Sequence, residues 1–261
     1  MSVIIKRNRW QIWRDVIFAL FVREIRTNFN DKFGIAWSVV SPLAFIFILS
    51  FIRGKMSGED IHSVPTFAFM VYGLLNIQFF LETLQNTSMA IQKNKALFAF
   101  RQVQPISSIL ATGLFSFLVK LTVYLFVLMV MYFIGIEIHI DNPLMLFFVF
   151  VLLWILAVSL GCILAVAKLY IREIGKIQSL ATRPLFFISG TFFSLQDMPR
   201  EYWVYFNWNP ILHAIELSRY AAYETYGTNG VSLLFLAGVT LATLTLSLAF
   251  YFSNWKQAIS Q

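Results

Sequence analysis

Residues 144–167 read LMLFFVFVLLWILAVSLGCILAVA, without a single charge. A helix needs roughly 20 apolar residues to cross about 30 Å of hydrocarbon, and this stretch exceeds that. A second uncharged stretch covers 231–252, and four less uniform ones lie at 35–52, 66–84, 106–134 and 177–195. The third, 106–134, is long enough to tilt or to extend into the cytoplasm, and it contains Lys120. The fifth carries Arg183 and Pro184 near one end. The pattern predicts an all-α integral membrane protein with six transmembrane helices, built as one membrane domain over 1–261.

Composition agrees. Hydrophobic residues make up 59% of the 261 and charged residues 13%, about half the charged share of an ordinary soluble domain. Mean hydropathy is +0.72. The net charge of +7 is spread over the gaps rather than gathered on one face, so nucleic acid is excluded as a partner. Cys162 is the single cysteine and reads as a small packing residue. The apolar run 16–22 is too short, and too soon followed by Arg23, Glu24 and Arg26, to be a cleaved signal.

The basic residues set the orientation. Counting from the N-terminus, the odd-numbered gaps hold fifteen Lys and Arg and the even-numbered gaps hold four. The positive-inside tendency therefore predicts both termini in the cytoplasm.

Three segments are more than spans or simple loops. In 1–34, Trp10, Trp13, Val16, Ile17, Leu20 and Phe21 share one sector of a helix, with Gln11, Arg14, Asp15 and Arg26 opposite; this predicts a helix lying in the interface. The cytoplasmic gap at 88–104 sets Leu97, Phe98 and Phe100 beside Lys95 and Arg101. Such an apolar knob suits a short helix that docks into a groove on a partner, or one that buries itself against the interfacial helix. The gap at 196–230 is too polar and too broken to span. Asp197 is placed to cap a first helix near Met198, Asn209-Pro210 interrupts, and a second helix runs to Gly227. The two pieces predict a re-entrant hairpin, in which His213, Glu216 and Tyr220 form one ridge and Glu216 and Arg219 pair at i, i+3. Its aromatics, Tyr202, Trp203 and Trp208 among them, read either as an interfacial belt or as flat faces for sugars. Within the spans, Ala157, Gly161 and Ala165 form a small-residue stripe for close helix approach. Lys120 reads as a functional ion or as a side chain snorkelling to the surface.

No phosphate-binding loop is present: Gly175-Lys176 is followed by Ile177, and Tyr170 stands where the first glycine belongs. No metal or cofactor constellation appears either, so any nucleotide hydrolysis is expected on a partner and the chain is not expected to be an enzyme.

Taken together, the segments resemble the permease subunit of ABC-2-type (type V) polysaccharide exporters, nearest to capsule-export inner-membrane subunits (KpsM/CtrC-like). The resemblance rests on REI at 23–25, GIAWSVVSPLAF at 34–45, KNKALF at 93–98, FFISGTFFSLQDMP at 186–199 and NPILHAIELSRY at 209–220. Gln92-Lys93 departs from the Glu-Ala that relatives often carry before Asn-Lys-Ala-Leu. The family implies a homodimer in a bacterial inner membrane, with two copies of an ABC ATPase that hold ATP and Mg. Lipid-linked polysaccharide would pass between protomers toward a periplasmic adaptor and an outer-membrane exporter. It makes Gln92, Asn94, Lys95, Leu97, Phe98 and Arg101 the ATPase-coupling residues. It makes Trp37, Ser41, Phe45, Phe187, Phe192 and Phe193 the channel wall, joined by Tyr202, Trp203 and Trp208. Arg23, Arg26 and Lys32 would attract anions at the cytoplasmic mouth. O-antigen or teichoic-acid export is the alternative within the fold, and a partner-independent channel or secondary transporter the alternative outside it.

Overall fold

The structure, a computed structural model, describes residues 8–29, 32–57, 60–100, 102–136, 139–171 and 173–260, with the side chains of residues 29, 32–36, 38, 39, 56, 57 and 257–260 excepted. Arg101 and the Lys32 side chain lie outside the described residues.

The described residues form eight α-helices: α1 Arg9–Phe29, α2 Lys32–Ser57, α3 Thr66–Lys93, α4 Pro105–Ile134, α5 Pro143–Tyr170, α6 Ile174–Ile188, α7 Pro210–Ala222 and α8 Leu233–Ser260. Among the described residues, α3, α4, α5 and α8 are each long and apolar enough to cross a membrane. Local chemistry sets the ends. Proline opens α4, α5 and α7, where its missing N–H costs nothing. The side chains of Asn142 and Asn209 accept from Met145 N at 2.9 Å and Ile211 N at 3.0 Å, capping α5 and α7. Gly135 closes α4 with a left-handed φ of 78°, which a residue with a Cβ adopts only under strain.

Helix α3 is the axis. It lies mostly buried and packs on α2, α4, α5 and α7. Its approach to α5 is close: a Cβ placed on Gly161 would collide with Thr87 Oγ1 and lie 2.8 Å from Thr87 Cβ. The small-residue stripe thus faces α3. Helix α1 packs on α4, tied by the Thr112 hydroxyl, which donates to Glu24 at 3.2 Å. Lys120 turns inward and pairs with Glu82 of α3 at 2.7 Å, its side chain only 7% exposed. A buried lysine is tolerated because a carboxylate neutralises it.

Three boundaries differ from those the sequence suggests. Helix α3 does not stop near residue 84 but continues to Lys93, so the segment 88–104 is no separate helix; it is the last turns of α3, a 3-10 turn at Lys95–Ala99 and the approach to α4. Helix α6 ends at Ile188 rather than at 195. Pro184 removes one hydrogen bond inside it, and Gly190, with φ of 74°, reverses the chain two residues later. Its fifteen residues reach only about 22 Å. The first arm of the hairpin is 3-10 turns at Leu195–Asp197 and Arg200–Tyr205, and Asp197 does not cap a helix beyond it. It closes a capping box instead, accepting from Ser194 N at 3.0 Å.

A two-residue β-hairpin, β1 Asp60–Ile61 and β2 Val64–Pro65, turns through His62 and Ser63, both at positive φ. His62 Nε2 meets Asp197 Oδ1 at 2.7 Å, and Asn142 N donates to Ala221 O at 2.8 Å. The loop after α2, the loop before α5 and the segment after α6 therefore form one cap over the end of the bundle.

Candidate functional site

The first region is the elbow after α3. Asn94 ends the helix, buried at 2%: its side-chain amide donates to Ala90 O at 2.8 Å and its Oδ1 accepts a close hydrogen bond from Arg23 of α1. Arg23 thereby joins α1 to the elbow while keeping its charge, because Asn94 is neutral; Arg26 is exposed. Lys168, at the end of α5, donates to Ser88 at 2.8 Å. The expected place of Phe98 is corrected. Rather than forming an outward knob or packing on α1, it is buried in a small core with Ile91, Ile109, Cys162, Val166 and Tyr251. Phe100 is 64% exposed, Leu97 half-buried, and Gln92 and Lys95 exposed. The elbow thus offers Leu97 and Phe100 outward and holds them rigid through Phe98 and Asn94. Burial of Phe98 is illegible locally, because its partners come from α3, α4, α5 and α8.

The second region is the uncovered face of α2 and α6. Trp37, Ser41 and Phe45, spaced by four, are exposed on α2. Phe45 meets Phe186 of α6 at 6.4 Å between ring centroids, and Phe186, Phe187 and Phe192 contact one another at 5.4–5.8 Å. Phe186, which sequence reasoning passed over, is the hub. A hollow of about 590 Å³ beside this strip is lined by Gln85, Thr182, Arg183 and Phe187. Gln178 of α6 donates to Gln85 of α3 at 2.9 Å across its base. Phe193 does not belong to the strip; it packs on Phe206 at 5.5 Å. In the capping segment Tyr202 and Trp208 are exposed, but the Trp208 N–H is already given to Tyr205 O at 2.7 Å. Trp203 is half-buried, donates to Met198 O at 3.0 Å and covers Gly230, where a Cβ would lie 2.7 Å from its ring. Neither indole N–H is free for a sugar.

The third region is the ridge on α7, which forms a closed polar network. His213, Glu216 and Arg219 are at most 3% exposed, and Tyr220 is half-buried. Arg219 Nη1 donates to Glu216 Oε1 at 2.9 Å, the i, i+3 pair that the spacing suggested. The same guanidinium donates from Nε to Phe69 O at 3.3 Å, from Nη2 to Thr191 O at 3.1 Å and from Nη1 to Phe193 O at 3.4 Å, and lies over the Phe69 ring at 3.4 Å. Glu216 Oε2 accepts from Tyr226 at 2.9 Å and Ser194 at 3.2 Å. Burial pushes the Glu216 carboxyl up, and Arg219, Tyr226 and Ser194 oppose that by stabilising the anion. Chemically the network is a lock that fastens α7 and the 191–197 turn to α3.

His213 bridges α7 to α8. Its Nε2 donates to Asn207 O at 2.9 Å, and its Nδ1 accepts from Ser232 N at 2.9 Å, which fixes the neutral Nε2–H tautomer. Burial lowers its pKa from the ordinary value of 6.5. The unfolded chain then takes up the proton first as pH falls, so this histidine's contribution is complete above about pH 6.5 and is lost below it. The apparent melting temperature of purified protein is expected to fall between about pH 7.5 and 5.5, and His213→Gln to flatten that fall; an unchanged slope in the variant rules the assignment out.

Comparisons with known proteins agree with this architecture. The pattern of the ABC-2 type transporter family matches residues 15–223. The chain is 35% identical to the polysialic acid transport protein KpsM of Escherichia coli over 94% of its length and 95% of the relative's. It is 25% identical to the capsule polysaccharide export inner-membrane protein CtrC of Neisseria meningitidis serogroup B, over 84% of each chain. It is 24% identical to the capsule polysaccharide export inner-membrane protein BexB of Haemophilus influenzae, over 89% of this chain and 88% of that one. The family match over residues 15–223, with 35% identity to KpsM over 94% of the chain, places this helical membrane protein in the ABC-2 type transporter family.

Proposed function

We propose that the chain is the permease subunit of an ATP-driven exporter of capsular polysaccharide in a bacterial inner membrane, with both termini in the cytoplasm. The observation that carries this reading is the full-length likeness to proteins named for polysialic acid transport and capsule polysaccharide export. Two copies would set their uncovered α2 and α6 faces toward each other. The lipid-linked glycan would then slide along Trp37, Phe45, Phe187 and Phe192, with Arg183 and Gln85 beside them. Rings stack on sugar C–H faces weakly and repeatedly, as a conduit requires. Each copy would dock an ABC ATPase through the elbow, and that ATPase would hold ATP and Mg. A periplasmic adaptor and an outer-membrane exporter would continue the route.

The test is at the elbow. Leu97→Asp with Phe100→Asp is expected to cut co-purification of the ATPase by tenfold or more, since loss of a central apolar anchor costs about 2 kcal/mol or more. Surface capsule is expected to fall with it while the permease still accumulates. A double variant that retains both the ATPase and normal capsule overturns the docking role.

A further inference from the structure

We propose that the slot between α1 and α4 is a binding site for an anionic phospholipid of the inner leaflet. The slot encloses about 700 Å³, within the about 300–1,000 Å³ of ordinary small-molecule pockets. Its walls are Trp10, Trp13, Ile17 and Phe18 of α1 against Phe117 and Leu118 of α4. Trp10 and Trp13 stand edge to face at 5.1 Å and make one end of the wall. The polar rim is Gln11 and Arg14.

Depth identifies the occupant. Twenty residues of helix span about 30 Å, and counting back from Ile134 along α4 places the opposite edge of the hydrocarbon near Leu114, which also lines the slot. The slot therefore straddles the boundary between acyl chains and headgroups. Water does not favour a cleft with such walls, whereas an acyl chain fills it. Among the described residues, Arg14, its side chain 76% exposed, contacts the adjacent Asp15 Oδ1 at 3.4 Å through Nη2, which leaves its other donors for a phosphate. Cationic residues on an interfacial helix attract anionic lipids. The choice of leaflet rests on the topology proposed above; the presence of the lipid does not.

Such a lipid would steady α1, whose Arg23 grips Asn94 at the elbow. The site shares no lining residue with the hollow beside the α2–α6 strip.

The full chain, purified in mild detergent, is to be offered equal amounts of phosphatidylglycerol and phosphatidylethanolamine and examined by native mass spectrometry. One phosphatidylglycerol per chain is expected, favoured severalfold. Leu118→Trp, which fills the slot, is expected to reduce that adduct about tenfold; Arg14→Glu is expected to abolish the preference between the lipids. Leu241→Trp, on an exposed face of α8, is expected to change nothing. As a second measurement on unaltered protein, Trp fluorescence in phosphatidylcholine vesicles is expected to be quenched saturably by a few mole percent of bromoacyl phosphatidylglycerol. Equal retention of both lipids by the unaltered chain, or full phosphatidylglycerol occupancy in Leu118→Trp, overturns the proposal. So does quenching that rises linearly with the brominated lipid.

Discussion

Arg219→Met is expected to leave little folded protein in the membrane. The guanidinium donates to the backbone of α3 at Phe69, to the backbone at Thr191 and Phe193, and to Glu216 on its own helix. Methionine fills much of the volume but supplies no donor. Glu216 would keep Tyr226 and Ser194 and lose its counter-charge at 1% exposure. Removing one partner of a buried pair costs about 3–5 kcal/mol, a large part of the about 5–15 kcal/mol that holds an ordinary domain together. Removing both partners is a different matter, because apolar replacement of a buried pair is often close to neutral. Glu216→Leu combined with Arg219→Met is therefore expected to recover part of the yield and melting temperature lost in the single variant. Recovery stays partial, since the Thr191 and Phe193 carbonyls lose their donor. Gly73→Ala offers an independent check: its Cβ would stand 2.7 Å from Arg219 Nη2 and from Thr191 O, so it pushes the guanidinium out without touching the charges. A single variant that melts with the unaltered protein would show that the lock carries no stability.

The second large effect is expected at Gly161→Leu. No hydrophobic force draws helices together in lipid; close van der Waals contact does much of that work. Here α5 lies on α3 with no room for even one methyl group beside Thr87. Thr87 is itself held, its hydroxyl donating to Thr83 O at 2.6 Å, so it does not swing away. A leucine separates the two most buried of the candidate spanning helices, at or above the upper end of the about 1–3 kcal/mol usual for overpacking. The variant is expected to lose export and to melt several degrees lower. Gly161→Ala is the graded form: Thr87→Ala beside it removes the colliding Oγ1 but leaves a Cβ at 2.8 Å, so stability is expected to return in part. An unimpaired Gly161→Leu, measured by melting temperature and surface capsule together, would contradict the packing.

The same comparison between neighbours and distant partners explains what was legible in the residues. The i, i+3 pairing of Glu216 with Arg219 and the break at Asn209-Pro210 need only local geometry, and both occur. The elbow knob was half legible. Apolar character at Leu97, Phe98 and Phe100 showed that something packs there, but which ring turns in depends on a pocket assembled from four other helices. What covers the hairpin ridge was not legible for a related reason: a stripe of polar residues on a short helix looks the same whether water or another element covers it. The β-hairpin at 60–65 left no periodic signal, since two-residue strands are too short for alternation.

What the chain determines by itself is its solvent. Long uncharged runs have no stable place in water, and in lipid every backbone group must find its partner within the protein; continuous apolar runs of about 20 residues, without the alternation of barrel strands, meet that demand as helices. The basic gaps predict an orientation by the same one-dimensional logic. Tertiary structure decided everything that turns on who sits opposite whom. Arg219 became a lock because Phe69, distant in sequence, comes within reach; Lys120 was neutralised because Glu82 does; and Phe98 became an anchor while Phe100 stayed free. Hydrophobicity is a property of each residue, whereas burial and charge pairing are properties of pairs, and pairs exist only after the helices have packed.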